Sequence, residues 1–484
     1  MNVRRYQKWA KSGLAILLAG AMMVGTAASG GGMTAQAAET ESSDTVSTQK
    51  AVTSDAASLL FTEKHITSDL TLPTIGASGT TISWKSSNPS VLSNEGKVTR
   101  PKKGAADEEV TLKGTVKMGD YAKARNFTFV VLAESEMGPT KEFALDQVEL
   151  LDDYYLTAQN SDIEFLKKFD NDRLLSRFRE TAGLDTKKIA PYGGWEDGWL
   201  GGHSVGHYLT AIAQAVKATG NADLKEKSKQ LIEGLAECQN KLGTGFIFGA
   251  KIETEGYVEK QFDILEGKTT GKTWVPWYNM HKMLTGLVDT YKYTGNKQAL
   301  EVAKKLGDWI YNRVSKWDAG TQGRVLGTEY GGMNDCLYEL YLCTRDSKHL
   351  EAAHKFDQPN LYKTVAKGGK NCLNGKHANT TIPKFLGALK RYVVLEQTGE
   401  LTKDDEAYLT NVEKFFDIAV TRHAYITGGV SVMEHFRKDN NQDGTRTQTN
   451  CESCCAHNML KMAKELYKVT GDKKYADYYE TTLR

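Results

Sequence analysis

One short phrase recurs through this chain and limits what it can fold into. It reads "ATGNADL" from Ala218, "YTGNKQAL" from Tyr293, "CTRDSKHL" from Cys343, "QTGELTKDD" from Gln397 and "VTGDKKYA" from Val469. Each copy lies between two segments whose apolar residues fall at helical spacing. Val205, Tyr208, Leu209, Ile212 and Val216 precede the first, and Met280, Met283, Leu284, Leu287 and Tyr291 precede the second. Gly ends one helix in the left-handed conformation, and Asn or Asp caps the next. Arg345 stands in for the glycine once. These are five helical hairpins, and a sixth pair fits upstream, around "DQVELLDDYYLTAQN" and "IEFLKKFDNDRLLSRFRETAG". Each hairpin must bury its apolar face on its neighbours, so roughly twelve helices predict a mostly α, (α/α)6 toroid, with an open solenoid as the alternative.

The toroid occupies residues 139–484. Ahead of it, 56–134 alternates with period two around Ile82, Trp84, Val91, Leu92 and Val98, with turns at Asn88-Pro89 and Glu95-Gly96. This predicts a small β-sandwich in which Trp84 is core rather than a sugar platform. Residues 38–55 are Ser/Thr/Ala-rich and read as a linker. Residues 1–37 read as a secretory signal: Arg4, Arg5, Lys8 and Lys11, an apolar run from Gly13 to Val24, and the cleavage pattern Ala35-Gln36-Ala37. The expectation is a secreted, wall-associated or free protein with no integral membrane segment. With 62 Lys+Arg against 60 Asp+Glu, nothing points to a nucleic-acid partner.

A toroid gathers the loops at one end of its hairpins around a hollow. The long Gly- and aromatic-rich inserts all precede inner helices: "YGGWEDGWLGGHSVGH", "TTGKTWVPWYNMHK", "VLGTEYGGMND", "NGKHANTTIPK", "YITGGVSVMEHF" and "NCESCCAHNML". Aromatic faces beside fixed polar groups suit a sugar.

Those stretches together resemble glycoside hydrolase family 127 and the related family 146, the β-L-arabinofuranosidases of plant cell-wall glycans. The likeness rests on "YGGWE", "GHSVGHYLTA", "YNMHKMLTGL", "EYGGMND", "HANTTIPK", "TGGVSVMEHF" and "ESCCAHNMLK", in order from about Phe143 onward. The sandwich resembles the degenerate bacterial immunoglobulin-like modules of secreted glycan-degrading enzymes. The resemblance implies a retaining zinc-thiolate mechanism on arabinose-containing glycans. Glu434 is the implied acid/base, and Glu452 and Cys454 are implied Zn2+ ligands. His281, His377, Gln159, Glu329 and Tyr330 match sugar-gripping positions. Trp195 and Trp199 either stack on sugar or pack the helix start.

Cys454-Cys455 reads as a decoy for the family's own Cys-Cys pair, which follows the final hairpin. The nucleophile and two zinc ligands are therefore expected beyond residue 484, and residues 38–484 alone are expected to be inactive and to bind zinc weakly. A zinc-held sulfur is a thiolate, which a free thiol at neutral pH is not. Seven cysteines show no disulfide framework; a bridge from Cys451 or Cys455 stays open, and Cys451-x-x-Cys454 lacks a redox context. His203 and His207 lie on one helical face without an evident third metal ligand. The competing readings are another toroid hydrolase or polysaccharide lyase, and a non-catalytic glycan-binding surface protein.

Overall fold

In a computed structural model, residues 43–61, 65–66, 69–102, 105–133, 140–196, 198–250, 257–445 and 447–484 are described. The expected signal segment 1–37 lies outside them. The chain divides into two compact units, one ending near Leu132 and one carrying Ala133–Arg484.

The first unit begins with α1 (Ser43–Ser58), followed by β1 (His65–Ile66), β2 (Thr81–Ser86), β3 (Glu108–Met118) and β4 (Tyr121–Val131). The strands form one sheet in the order β1-β4-β3-β2. Among the described residues a second sheet is reduced to isolated bridges, Ile75 to Thr81 and Leu92 to Val98. The segment expected as a linker is instead mostly helix. Val52, Ala56 and Leu59 form one buried stripe, hidden from the eye by Ser and Thr between them. The Asp55 carboxylate accepts from the Ser78 amide and the Thr80 hydroxyl. Arg125 donates to the Ala56, Ala57 and Leu59 carbonyls that end the helix. Trp84 is core, as expected: its Nε1 donates to Pro73 O at 2.8 Å. It lies over Gly114, its cross-strand partner, where a Cβ would stand 2.7 Å from the ring.

The second unit is helical hairpins throughout. Its main helices are α2 (Asp153–Lys167), α3 (Asn171–Ala182), α4 (His203–Thr219) and α5 (Ala222–Leu242). After the short α6 (Lys260–Leu265) come α7 (Pro276–Thr294), α8 (Lys297–Val314) and α9 (Ala319–Leu326). Then follow α10 (Met333–Thr344), α11 (Ser347–Lys355), α12 (Pro359–Ala366) and α13 (Ala378–Thr398). The last are α14 (Glu406–His423), α15 (Ser453–Thr470) and α16 (Lys473–Leu483). α4, α7, α10, α13 and α15 pack side by side as the inner layer, and α5, α8 and α11 pack outside them. Each outer helix returns the chain, so the inner helices run the same way and their N-termini share one end.

The recurring turns work as the sequence implies. Gly220, Gly295, Gly399 and Gly471 are left-handed, and so is Arg345 at φ 55°. The threonine before four of these five adds a clasp. Thr219, Thr294, Thr344 and Thr470 donate back to the carbonyl four residues earlier. Each also accepts the amide of the next helix's cap. The exception is Asp405, whose carboxylate serves Thr402 and Arg391 instead of capping α14.

Halfway along the inner helices the charges are matched. Glu339 of α10 pairs with Lys292 of α7 and Lys390 of α13, both at 2.6 Å. Lys390 also reaches Glu465 of α15. Burial opposes the charge on Glu339, but the two lysines overcome it and hold its carboxyl well below the usual range. At Gly206 and Gly286, α4 and α7 touch backbone to backbone; a Cβ on Gly206 would sit 2.2 Å from the Lys282 carbonyl oxygen.

Candidate functional site

The predicted acid/base sits at the tip of a tight hairpin. Val432 and His435 pair with each other, and Met433 and Glu434 between them both have positive φ, 48° and 61°. Two left-handed residues are the signature of a type I′ turn, a place normally filled by Asn-Gly. Here a long side chain and a catalytic candidate occupy it, at a cost of about 1 to 3 kcal/mol each. The turn is gripped from two sides. The Ala378 amide donates to the Glu434 carbonyl, and the Met433 amide donates to Thr449 O.

His377 caps α13, and its Nδ1 accepts from the Thr380 amide at 3.1 Å. Its Nε2 therefore carries the proton and donates to Glu434 Oε2 at 3.0 Å. Both side chains stay partly exposed. Glu329 joins through the same threonine. Burial pushes its carboxyl up, against His377, the Thr380 hydroxyl, Lys282 and Lys384. Its Oε1 is buried with no hydrogen-bond partner.

Glu452 is the N-cap of α15. One carboxylate oxygen accepts from the Cys454 amide and the other from the Cys455 amide, each at 3.0 Å. Burial opposes its charge, but hydrogen bonds from Cys454 and Cys455 prevail and lower its pKa. Burial, then the Glu452 carboxylate, pushes the Cys454 thiol up to about 12. Cys455 is fully buried, and all seven cysteines are free. The carboxylate and the thiol beside it offer a hard and a soft donor, as zinc accepts. They fit a zinc ion as two of its donors; among the described residues no third Cys, His, Asp or Glu joins them in a metal-sized cluster.

Sequence reasoning passed over Tyr278. It is buried on α7, and its hydroxyl pKa is raised by burial first and then by Glu329, Cys454, Glu452 and Glu434. All four act on this one phenol through space. Its hydroxyl lies 3.2 Å from His203 Nε2, the two rings stack, and Lys282 Nζ lies over the Tyr278 ring, 4.6 Å from its centre. Burial lowers Lys282 to about 8 and His203 to about 4. His281 is buried, its Nδ1 accepting from the Gly332 amide at 3.0 Å. Gly331 and Gly332 leave the room it needs, since a Cβ on Gly331 would fall 2.6 Å from Nδ1. Glu196, another residue the sequence reading left unassigned, caps α4 through the Gly202 and Ser204 amides.

Two expected contacts do not hold. Tyr330 is fully buried, packed on Phe356 with its hydroxyl on Gln358, so it supports the site floor and offers no surface to a sugar. Gln159 lies half-exposed on α2, a helix whose one buried residue is Ile163, and no contact carries it to the residues above. Trp195 is 60% exposed and lies 5.7 Å from the His203 ring, at the rim.

A helical toroid with carboxylates, imidazoles and aromatics at the shared end of its inner helices defines the glycan-active class. Within that class, the chain belongs to glycoside hydrolase family 127: residues 147–484 match the description "Beta-L-arabinofuranosidase, GH127 catalytic domain". Residues 41–134 match an atrophied bacterial Ig domain. No curated protein matches. A solved GH127 β-arabinofuranosidase is similar at 18% identity and a TM-score of 0.51, over 72% of this chain and 54% of that one. The GH127 β-L-arabinofuranosidase Ara127N from Geobacillus stearothermophilus T6 gives 18% identity and 0.46, over 70% and 53%. A polysaccharide lyase gives 10% identity and 0.42, over 87% and 57%. The chain thus spans about half the length of the solved relatives it matches.

Proposed function

We propose that this protein is a secreted glycoside hydrolase that removes β-L-arabinofuranosyl residues from plant glycans with retention. The observation that carries the reading is the His377–Glu434 pair, held at a strained turn beside the Glu452–Cys454 helix cap. Glu434 is the one carboxylate there that is both oriented and open to solvent. It donates a proton to the departing glycosidic oxygen as a cysteine thiolate bonds the anomeric carbon, and later takes one from the water that displaces that sulfur. His377 fixes its oxygen, and Trp195 offers a face at the rim for a sugar ring. Glu452 and Cys454 would hold a zinc ion, which would keep bound sulfur as thiolate. Cys454 Sγ is engaged with Glu452 and Cys455 is buried, so no sulfur nucleophile is assigned among the described residues. The sequence of residues 1–37 supports secretion, and no described helix is long and apolar enough to cross a membrane.

The test uses the natural protein with 4-nitrophenyl β-L-arabinofuranoside. Nitrophenolate release, a β product at first appearance by NMR, and loss of both zinc and turnover on chelation are expected. Turnover of the α-anomer or of pyranosides instead would overturn the substrate assignment, and activity that survives full zinc removal would overturn the thiolate mechanism.

A further inference from the structure

Well outside the residues above, the outer helices α8 and α11 meet at a second cluster. Asp308, Asp346 and His349 each offer a ligand atom, and all lie within 4.8 Å of one another, the one such trio found among the described residues. On a surface, such a group is ordinarily a solvated ion pair. Two observations set this one apart.

The first is the state of His349. The residue is fully buried; its Nε2 makes no hydrogen bond of ordinary length, the Lys304 backbone standing as a longer contact to the ring, and it faces Asp308 Oδ1 at 3.8 Å. The Thr344 hydroxyl donates its single proton to Leu340 O at 3.0 Å and accepts from the Asp346 amide. Its 2.8 Å contact with His349 Nδ1 is then made by a proton on the ring. Nε2 is left with a bare lone pair directed at a carboxylate, an arrangement that repels unless a cation stands between. The second is the space. A Cβ on Gly307 would come 2.6 Å from Nε2, so the glycine in α8 makes room for the ring. Lys348 Nζ neutralises the two carboxylates from outside, at 3.4 Å and 3.9 Å, but leaves Nε2 unmatched.

We propose that Asp308, Asp346 and His349 form a site for a divalent transition-metal ion, with Lys348 as its displaceable occupant. One imidazole and two carboxylates suit zinc, manganese or ferrous iron, with water completing the shell from the exposed side. Thr344 holds the far ring nitrogen, as the outer partner of a ligating histidine does. The ion ties the outer layer together next to a hairpin turn, and binding to the folded state alone raises its stability.

Cobalt(II) is the probe, added to the full chain and followed by calorimetry, absorption and thermal unfolding. The site gives a bound cobalt ion without thiolate charge-transfer absorption and a raised unfolding temperature; both persist in C454S, which separates it from the Glu452–Cys454 pair. Asp308→Asn weakens binding by at least about tenfold. Lys348→Ala removes the competing cation and tightens it about fivefold. Both side chains are half-exposed, so these variants report even where His349→Gln does not fold. Cobalt affinity unchanged by either substitution, or no binding by wild type and K348A alike, overturns the proposal. It would mean that the ring proton sits on Nε2 and that the backbone of Lys304 already satisfies His349.

Discussion

The middle of the toroid and its mouth use the same residue types in opposite ways. At mid-height, Lys292, Glu339, Lys390 and Glu465 lie on four successive inner helices and answer one another. Their pKa values move away from neutrality, so the charges are fixed at any ordinary pH. At the mouth, about two to three turns nearer the N-termini, burial outweighs the partners. Glu329 keeps an orphan oxygen, Lys282 and Lys384 are pulled down to about 8, and His203 and His207 to about 4 and about 3. Paired buried ions hold helices in register; unpaired ones await a partner, and in a cleft that partner is a ligand. The difference is what separates scaffold from site.

Four changes break or sharpen that contrast. Glu434→Gln lowers turnover of an arabinofuranoside by about 10² to 10⁴-fold while the urea midpoint stays where it was; a loss of folding instead would make Glu434 part of the scaffold. Glu339→Ala does the reverse. It strands two buried lysines and costs about 3 to 5 kcal/mol, read from urea denaturation, and a neutral result would dissolve the mid-height network. Glu452→Ala lies between them, removing a helix cap worth about 1 to 2 kcal/mol together with zinc content by mass spectrometry. The smallest effect is on pH. Lys282 and Lys384 titrate near 8 in the folded chain against an ordinary 10.5. Between those values the unfolded chain holds protons the folded one has released, so stability rises with pH through the window. Lys282→Met removes one lysine's share of that rise, seen as a flatter series of urea midpoints.

The repeat was legible because each hairpin turn is local chemistry: threonine, a left-handed residue, then a capping Asn or Asp. The ordered motifs pointed to Glu434, Glu452, Cys454, His281 and His377, and the structure sets them at or near the starts of inner helices, with His377 on Glu434. Tyr330 was misread because it adjoins Glu329, and neighbours along a loop leading into a helix point to opposite sides. Gln159 was misplaced for want of any local cue to which face of α2 it occupies. Tyr278 was invisible for the converse reason: its importance comes from three other helix starts meeting it in space. α1 was missed because composition outweighed a three-residue stripe at Val52, Ala56 and Leu59.

The left-handed pair at Met433 and Glu434 has a further consequence for anyone engineering this protein. Glycine at 433 would adopt φ 48° without a Cβ penalty and should harden the fold by about 1 kcal/mol. It would also let the hairpin tip swing, and the carboxylate with it. Heat tolerance and turnover are therefore set against each other at a single backbone bond, and a screen for one alone would select against the other.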